Sequence, residues 1–102
     1  MILFGDINKG LRECRFTPGS VLVDVRERTE FASGHIAGAV NEPLSTIQKT
    51  TLPPNVPIFL YCLRGSRSRK AVSILKKMGY TKVKSIGGID GYKGELARYK
   101  QI

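Results

Sequence analysis

Residues 58–68 read Ile58-Phe59-Leu60-Tyr61-Cys62-Leu63-Arg64-Gly65-Ser66-Arg67-Ser68, an apolar run that ends in a cysteine and then in a short loop with one glycine, two arginines and two serines. A near-continuous apolar run is the signature of a strand buried on both faces of a parallel sheet. Val21 to Val25 (VLVDV) reads the same way, and Lys82 to Ile86 (KVKSI) alternates as a further strand. Beyond the loop, Ser66 or Ser68 is placed to cap a helix whose apolar positions Ala71, Val72, Leu75 and Met78 keep helical spacing until Gly79 stops it. Between Asn41–Pro43 and the prolines at 53, 54 and 57, Leu44 to Thr50 forms a weaker helical turn. Strand and helix thus alternate, which predicts an α/β domain with its ligand site at the carboxyl ends of strands.

At 102 residues the chain suits one domain, residues 1–102, and folding can bury roughly 65% of the surface exposed when unfolded. No apolar run reaches the roughly 18 residues a membrane span requires, and the opening Met-Ile-Leu-Phe is too short for a signal-peptide core. No membrane association is expected, and the cytoplasm is the expected location. Cys14 and Cys62 stand far apart beside a single histidine, His35, which gives neither zinc-ligand spacing nor a disulfide framework. No metal or cofactor is therefore expected. The net charge is +9, yet residues 1–51 hold six basic and six acidic residues, so the whole excess lies in the second half. From Arg64 to Lys84 there are eight basic residues and no acidic one. That field attracts anions.

Cys62 stands where a strand gives way to a tight loop and a helix start, a place where backbone N–H groups converge on an anion. The anion can be the thiolate itself, favoured by the positive charges of Arg64 and Arg67. Activation alone achieves little. A thiol pKa lower by about two units raises the thiolate fraction at pH 7 about 25-fold, but a Brønsted slope of about 0.45 returns about 8-fold of that. A well-placed donor that stabilises charge developing in the reaction is worth about 3 to 4 kcal/mol, so the loop reads as an anion receptor built around a nucleophile.

Cys62-Leu63-Arg64-Gly65-Ser66-Arg67-Ser68 resembles the active-site loop of the rhodanese family of sulfurtransferases. Val23-Asp24-Val25-Arg26 with Glu30-Phe31, Gly34-His35-Ile36-Ala37-Gly38-Ala39 with Asn41-Glu42-Pro43, and Gly87-Gly88-Ile89-Asp90-Gly91-Tyr92 are similar to that family's other signatures, in the same order. The resemblance covers about residues 20 to 95. It implies a three-layer α/β fold with a central parallel five-stranded sheet flanked by helices. The implied activity is that of a thiosulfate sulfurtransferase, in which Cys62 takes a sulfane sulfur from an anionic donor such as thiosulfate or a persulfide, carries it as a persulfide and passes it to cyanide or a thiol. Leu63, Gly65, Ser66 and Arg67 would turn backbone N–H groups toward that sulfur. Arg64 and Arg67 would attract the donor by side chain, and Ser68 would cap the helix. A protein could serve as donor or acceptor.

Two features depart from the family pattern. Tyr92 stands where many members have tryptophan. Phosphatases and arsenate reductases of this fold class close a longer loop with an arginine at the seventh position, which here is Ser68. An oxyanion enzyme of that kind and a noncatalytic protein-binding module remain as alternatives. Asp24, interrupting an apolar strand, is expected to pair with a cation such as Arg26 as structural support. His35 is read as fixing a loop, since an ionised thiol needs no general base. Cys14 is read as an incidental thiol, although a disulfide to Cys62 depends on geometry. Nucleic acid is not expected as a ligand, because the basic half shows no aromatic platform. Nothing in the sequence points to an oligomer, so a monomer is expected.

Overall fold

The computed structural model describes residues 6–98. A parallel sheet lies between two layers of helices, as the alternation of elements predicts. Its strands are β1 (Val21–Asp24), β2 (Val40–Asn41), β3 (Ile58–Cys62) and β4 (Val83–Gly88), in the spatial order β2-β1-β3-β4. The sheet among the described residues therefore has four strands where five were expected. The segment that follows β4 pairs in β fashion, among the described residues, at one antiparallel bridge between Ala97 and His35. Two reciprocal backbone bonds at one residue pair do not extend into a ladder.

All five residues of β3 are buried, and their side chains alternate between two cores. Ile58, Leu60 and Cys62 face the layer of α3 (Ser66–Lys77), while Phe59 and Tyr61 face the layer of α1 (Ile7–Phe16). A period of two distributes an all-apolar strand in this way. Each fully buried Ile or Leu contributes about 1.5–3 kcal/mol. Helix α1 buries Ile7, Gly10, Leu11 and Cys14 on one stripe and is capped by Asp6, whose side chain accepts the Asn8 N–H at 3.0 Å. Any side chain at Gly10 would collide with Ile86 of β4, so glycine sets the distance of this helix from the sheet. Residues 44–49 form a 3-10 turn that packs Ile47 under α3. In α3 the expected apolar positions Ala71 and Leu75 are buried, but Met78 is exposed. Gly79, at φ 101°, ends the helix.

At the carboxyl end of β1, Asp24 is fully buried and binds Arg26 through four hydrogen bonds, with Arg26 Nη2 at 2.8 Å from Asp24 Oδ2. The same guanidinium donates to the carbonyl of Gly34 at 2.6 Å. Asn41 Nδ2 donates to the carbonyls of Asp24 and Arg26. The buried pair and Asn41 thus tie the strand end, the turn after α2 (Arg28–Ser33) and β2 together. His35 stacks on Phe31 with ring centroids 3.8 Å apart, and its Nδ1 lies 2.8 Å from the Phe31 carbonyl.

Removing one partner of such a pair leaves a buried charge uncompensated, at a typical loss of about 3–5 kcal/mol. Arg26→Met is expected to lower stability by about that amount, read as a lower urea midpoint with an unchanged slope. A shift under about 1 kcal/mol would mean that Asp24 is held by its other contacts.

Candidate active site

The loop after β3 is shaped by its glycine. Gly65 adopts φ 103°, a left-handed conformation that side-chain-bearing residues avoid, and it stands at the start of α3. This turn aims the Gly65 N–H back at Cys62, where it donates to Sγ at 2.9 Å. The thiol is 1% exposed, so a donor of this kind acts in a site from which bulk water is excluded. Ser66, Arg67 and Ser68 form the first turn of α3, whose N–H groups have no acceptor inside the helix. The helix thus presents its positive end beside the sulfur.

Neither serine caps the helix by side chain; the cap position belongs to Gly65. Ser66 is exposed, whereas Ser68 is fully buried and donates its hydroxyl to the Gly65 carbonyl at 3.0 Å. Its Oγ also lies 2.7 Å from Ser85 Oγ of β4 and within 3.7 Å of Cys62 Sγ. A small hydroxyl inside the first turn closes the loop from below, because the turn is too tight for a cap from Ser66 or Ser68.

Arg67 departs from its expected role. Its guanidinium is bound in a fork by Glu30 of α2, at 2.7 Å to Oε1 and 3.0 Å to Oε2. Glu30 Oε1 also accepts the Glu27 N–H at 3.0 Å, so the carboxylate joins the start of α2 to the start of α3. The Arg67 hydrogen bonds hold the Glu30 carboxyl at about 2, well below the ordinary 4.5. Arg64 is exposed and forms no ion pair among the described residues, which leaves it as the open cation of the loop. Leu63 is exposed at the rim, and its carbonyl accepts the Asp90 N–H at 3.2 Å.

The segment Gly87–Asp90 forms the back wall of the loop. Gly88 pairs with Cys62 in the sheet, and a Cβ there would run into the Leu63 carbonyl and come within 2.6 Å of Arg64 Cα. Tyr92 packs on the α1-side core as a partly buried ring, and tryptophan's place is thus kept by an aromatic. Tyr61, beside Cys62 in the strand, is fully buried and accepts the Ile36 N–H at 3.0 Å. Burial pushes its phenol above the ordinary range. Asp24 and Arg26 meet at the end of the neighbouring strand and support the loop's surroundings without contacting Sγ. Both cysteines are free, and they lie on opposite faces of the sheet, so no disulfide joins them. Among the described residues no three His, Cys, Asp or Glu side chains gather as a metal site, and no helix is long and apolar enough to cross a membrane. Glu30, Ser85 and Gly88 enter the site from outside the loop. The first and last lie in the motifs quoted above, although nothing there pointed to the pair with Arg67, and Ser85 carried no signal.

A carboxyl whose pKa is depressed by folding adds stability above its unfolded value, and that stability is lost as pH falls toward the folded value. Glu30→Gln is therefore expected to be less stable than the parent at pH 7 by order 1 kcal/mol, since the pair is about one-third exposed. The difference should shrink between pH 4.5 and about 2, as followed by thermal melts across that range. A gap that stays constant with pH would show that Glu30 acts by packing and not by charge.

A family model for the rhodanese-like domain matches residues 8–95. The uncharacterized protein YqhL of Bacillus subtilis is 38% identical over 100 residues, covering 92% of this chain and 79% of that protein. The thiosulfate sulfurtransferase PspE of Escherichia coli is 37% identical over 71 residues, 66% of this chain and 68% of PspE. The human single domain sulfurtransferase TSTD1 superposes with a TM-score of 0.70 at 26% identity, over 82% of this chain and 89% of that one. These relatives support sulfur transfer of the rhodanese type. A buried cysteine at the carboxyl end of a central parallel strand, the four motifs around it and a family match over residues 8–95 agree: the chain belongs to the rhodanese-like domain family.

Proposed function

We propose that the protein is a sulfurtransferase in which Cys62 carries the sulfur. The observation that carries this reading is the Gly65 N–H at 2.9 Å from Sγ, a donor built into the backbone and aimed at the reacting atom. In the first step the Cys62 thiolate attacks the outer sulfur of thiosulfate. A new S–S bond forms, the S–S bond of thiosulfate breaks, and sulfite leaves with its electron pair. The persulfide then lies against the loop with its charge on the terminal sulfur, where the donors of the α3 start oppose it. In the second step cyanide, or a thiolate, attacks that terminal sulfur, the persulfide bond breaks and Cys62 is released as thiolate. Both steps balance without an external oxidant or reductant.

Arg64 supplies the open charge that draws an anionic donor to the rim, and Arg67 acts through its tie to Glu30. The loop does not favour a phosphatase or arsenate reductase. The position that such enzymes fill with arginine is Ser68, buried and bound to Gly65 and Ser85. A noncatalytic module would have no use for a donor on a buried thiol.

Intact-protein mass spectrometry after thiosulfate exposure tests the reading. The expected result is the gain of one sulfur that survives Cys14→Ser, is absent in Cys62→Ser and is removed by cyanide as thiocyanate appears. No gain from thiosulfate, polysulfide or glutathione persulfide, with the protein folded, would overturn it. In steady-state assays Arg64→Ala is expected to raise KM for thiosulfate about tenfold with kcat nearly kept, and an unchanged KM would remove Arg64 from donor recognition.

A further inference from the structure

Helix α3 leads away from the Cys62 loop, and its outer face is composed in one way along its length. At about 100° per residue, Ser66, Arg69, Lys70, Ser73, Lys76 and Lys77 fall within about 120° of arc, and all six are exposed. That arc contains four cations, two hydroxyls and no acid. Three cations elsewhere are held by acids: Arg26 binds Asp24, Arg67 binds Glu30 and Lys84 binds Glu13. Lys70, Lys76 and Lys77 form no ion pair among the described residues. Half-buried Ile74 lines a shallow open groove with Ser66, Arg69, Lys70 and Ser73, which gives the stripe one apolar contact near the loop.

Size decides what such a stripe serves. From Ser66 to Lys77 the helix rises about 16 Å, twice the screening length of about 8 Å at physiological salt. Thiosulfate at the loop cannot use charges at the far end. A peptide in extended form, at about 3.3 Å per residue, covers the stripe with about five residues. The arc has no aromatic side chain on which a base could stack, so nucleic acid fits it less well. We propose that the outer face of α3 is the docking surface for an acidic protein segment that delivers a cysteine, or its persulfide, to Cys62. This rests on the sulfur-transfer reading and adds to it a partner of stated chemistry. Complementary charge then raises the encounter rate and fixes the direction from which the segment reaches the loop.

The test uses a glutamate-rich peptide ending in one cysteine as acceptor from the Cys62 persulfide, with a glutamine analogue of equal length beside it. At low salt the glutamate peptide is expected to react about tenfold faster, an advantage that falls as salt rises. Lys70→Glu with Lys77→Glu should abolish the advantage while thiosulfate-to-cyanide turnover is kept. Lys9→Glu with Arg12→Glu, both exposed on α1 across the sheet from α3, changes the net charge equally and should leave the advantage in place. Equal loss in both double variants would mean that net charge alone acts, and the proposal would fall. It would also fall if an oligonucleotide bound through the stripe and displaced the peptide, or if the glutamate peptide showed no advantage. Should no persulfide form at Cys62, the sulfur-transfer reading fails by itself. Binding of the labelled, cysteine-free glutamate peptide, measured by fluorescence anisotropy on the same variants, still decides whether the stripe is a docking surface.

Discussion

Everything around Cys62 depends on a turn that must reverse within three residues so that a backbone N–H meets the sulfur. The turn needs a left-handed residue, which Gly65 supplies, and it needs space behind it, which Gly88 supplies. A side chain at either position would push the loop outward and lengthen the Gly65–Sγ contact of 2.9 Å. Two glycines from elements 23 positions apart thus define one site. Gly65 turns its N–H to the sulfur and Gly88 leaves room for the loop behind it, and together they set the geometry on which charge stabilisation depends.

Around this turn, the charged residues divide into those that hold the frame and those that face outward. Asp24 and Arg26 are buried together and are bound to each other and to the Gly34 carbonyl. Glu30 and Arg67 form a half-exposed clamp between the starts of two helices. In both pairs the cation is spent on fixing a segment. This leaves Arg64 at the rim and the outer face of α3 to act on molecules that approach from solvent. The surplus of basic residues in the second half is therefore not one property but two, a clamp inside the site and a field beyond it.

The fold was legible because the central strands are buried on both faces and so read as apolar runs, and because Gly79 and the prolines mark the ends of elements. The site was legible as far as the motifs reach. Cys62 and Gly65 could be placed from their order alone, since a cysteine after a buried strand and a glycine before a helix have few other geometries. The role of Arg67 was not legible, because its partner lies 37 positions away and a fork between two side chains leaves no periodicity in the sequence. The count of four strands among the described residues has a similar origin. Whether a segment pairs along its length or at one residue is a matter of tertiary approach, and among the described residues the segment after β4 pairs with the protein as a strand at His35 and Ala97.

The serines show how far local reasoning extends. A serine before an apolar helical pattern is a good cap by propensity, but capping needs the residue outside the helix with its oxygen turned back on the first turn. Gly65 occupies that place because the thiol needs its N–H, so Ser66 and Ser68 are drawn into the helix. Ser68 then has its hydroxyl buried, and burial without partners would cost about 1–3 kcal/mol. The Gly65 carbonyl and Ser85 satisfy it, at 3.0 and 2.7 Å. The requirement at the sulfur therefore reaches across to a strand distant in sequence, and it explains why a small polar residue stands at position 85 beside the buried Ile86.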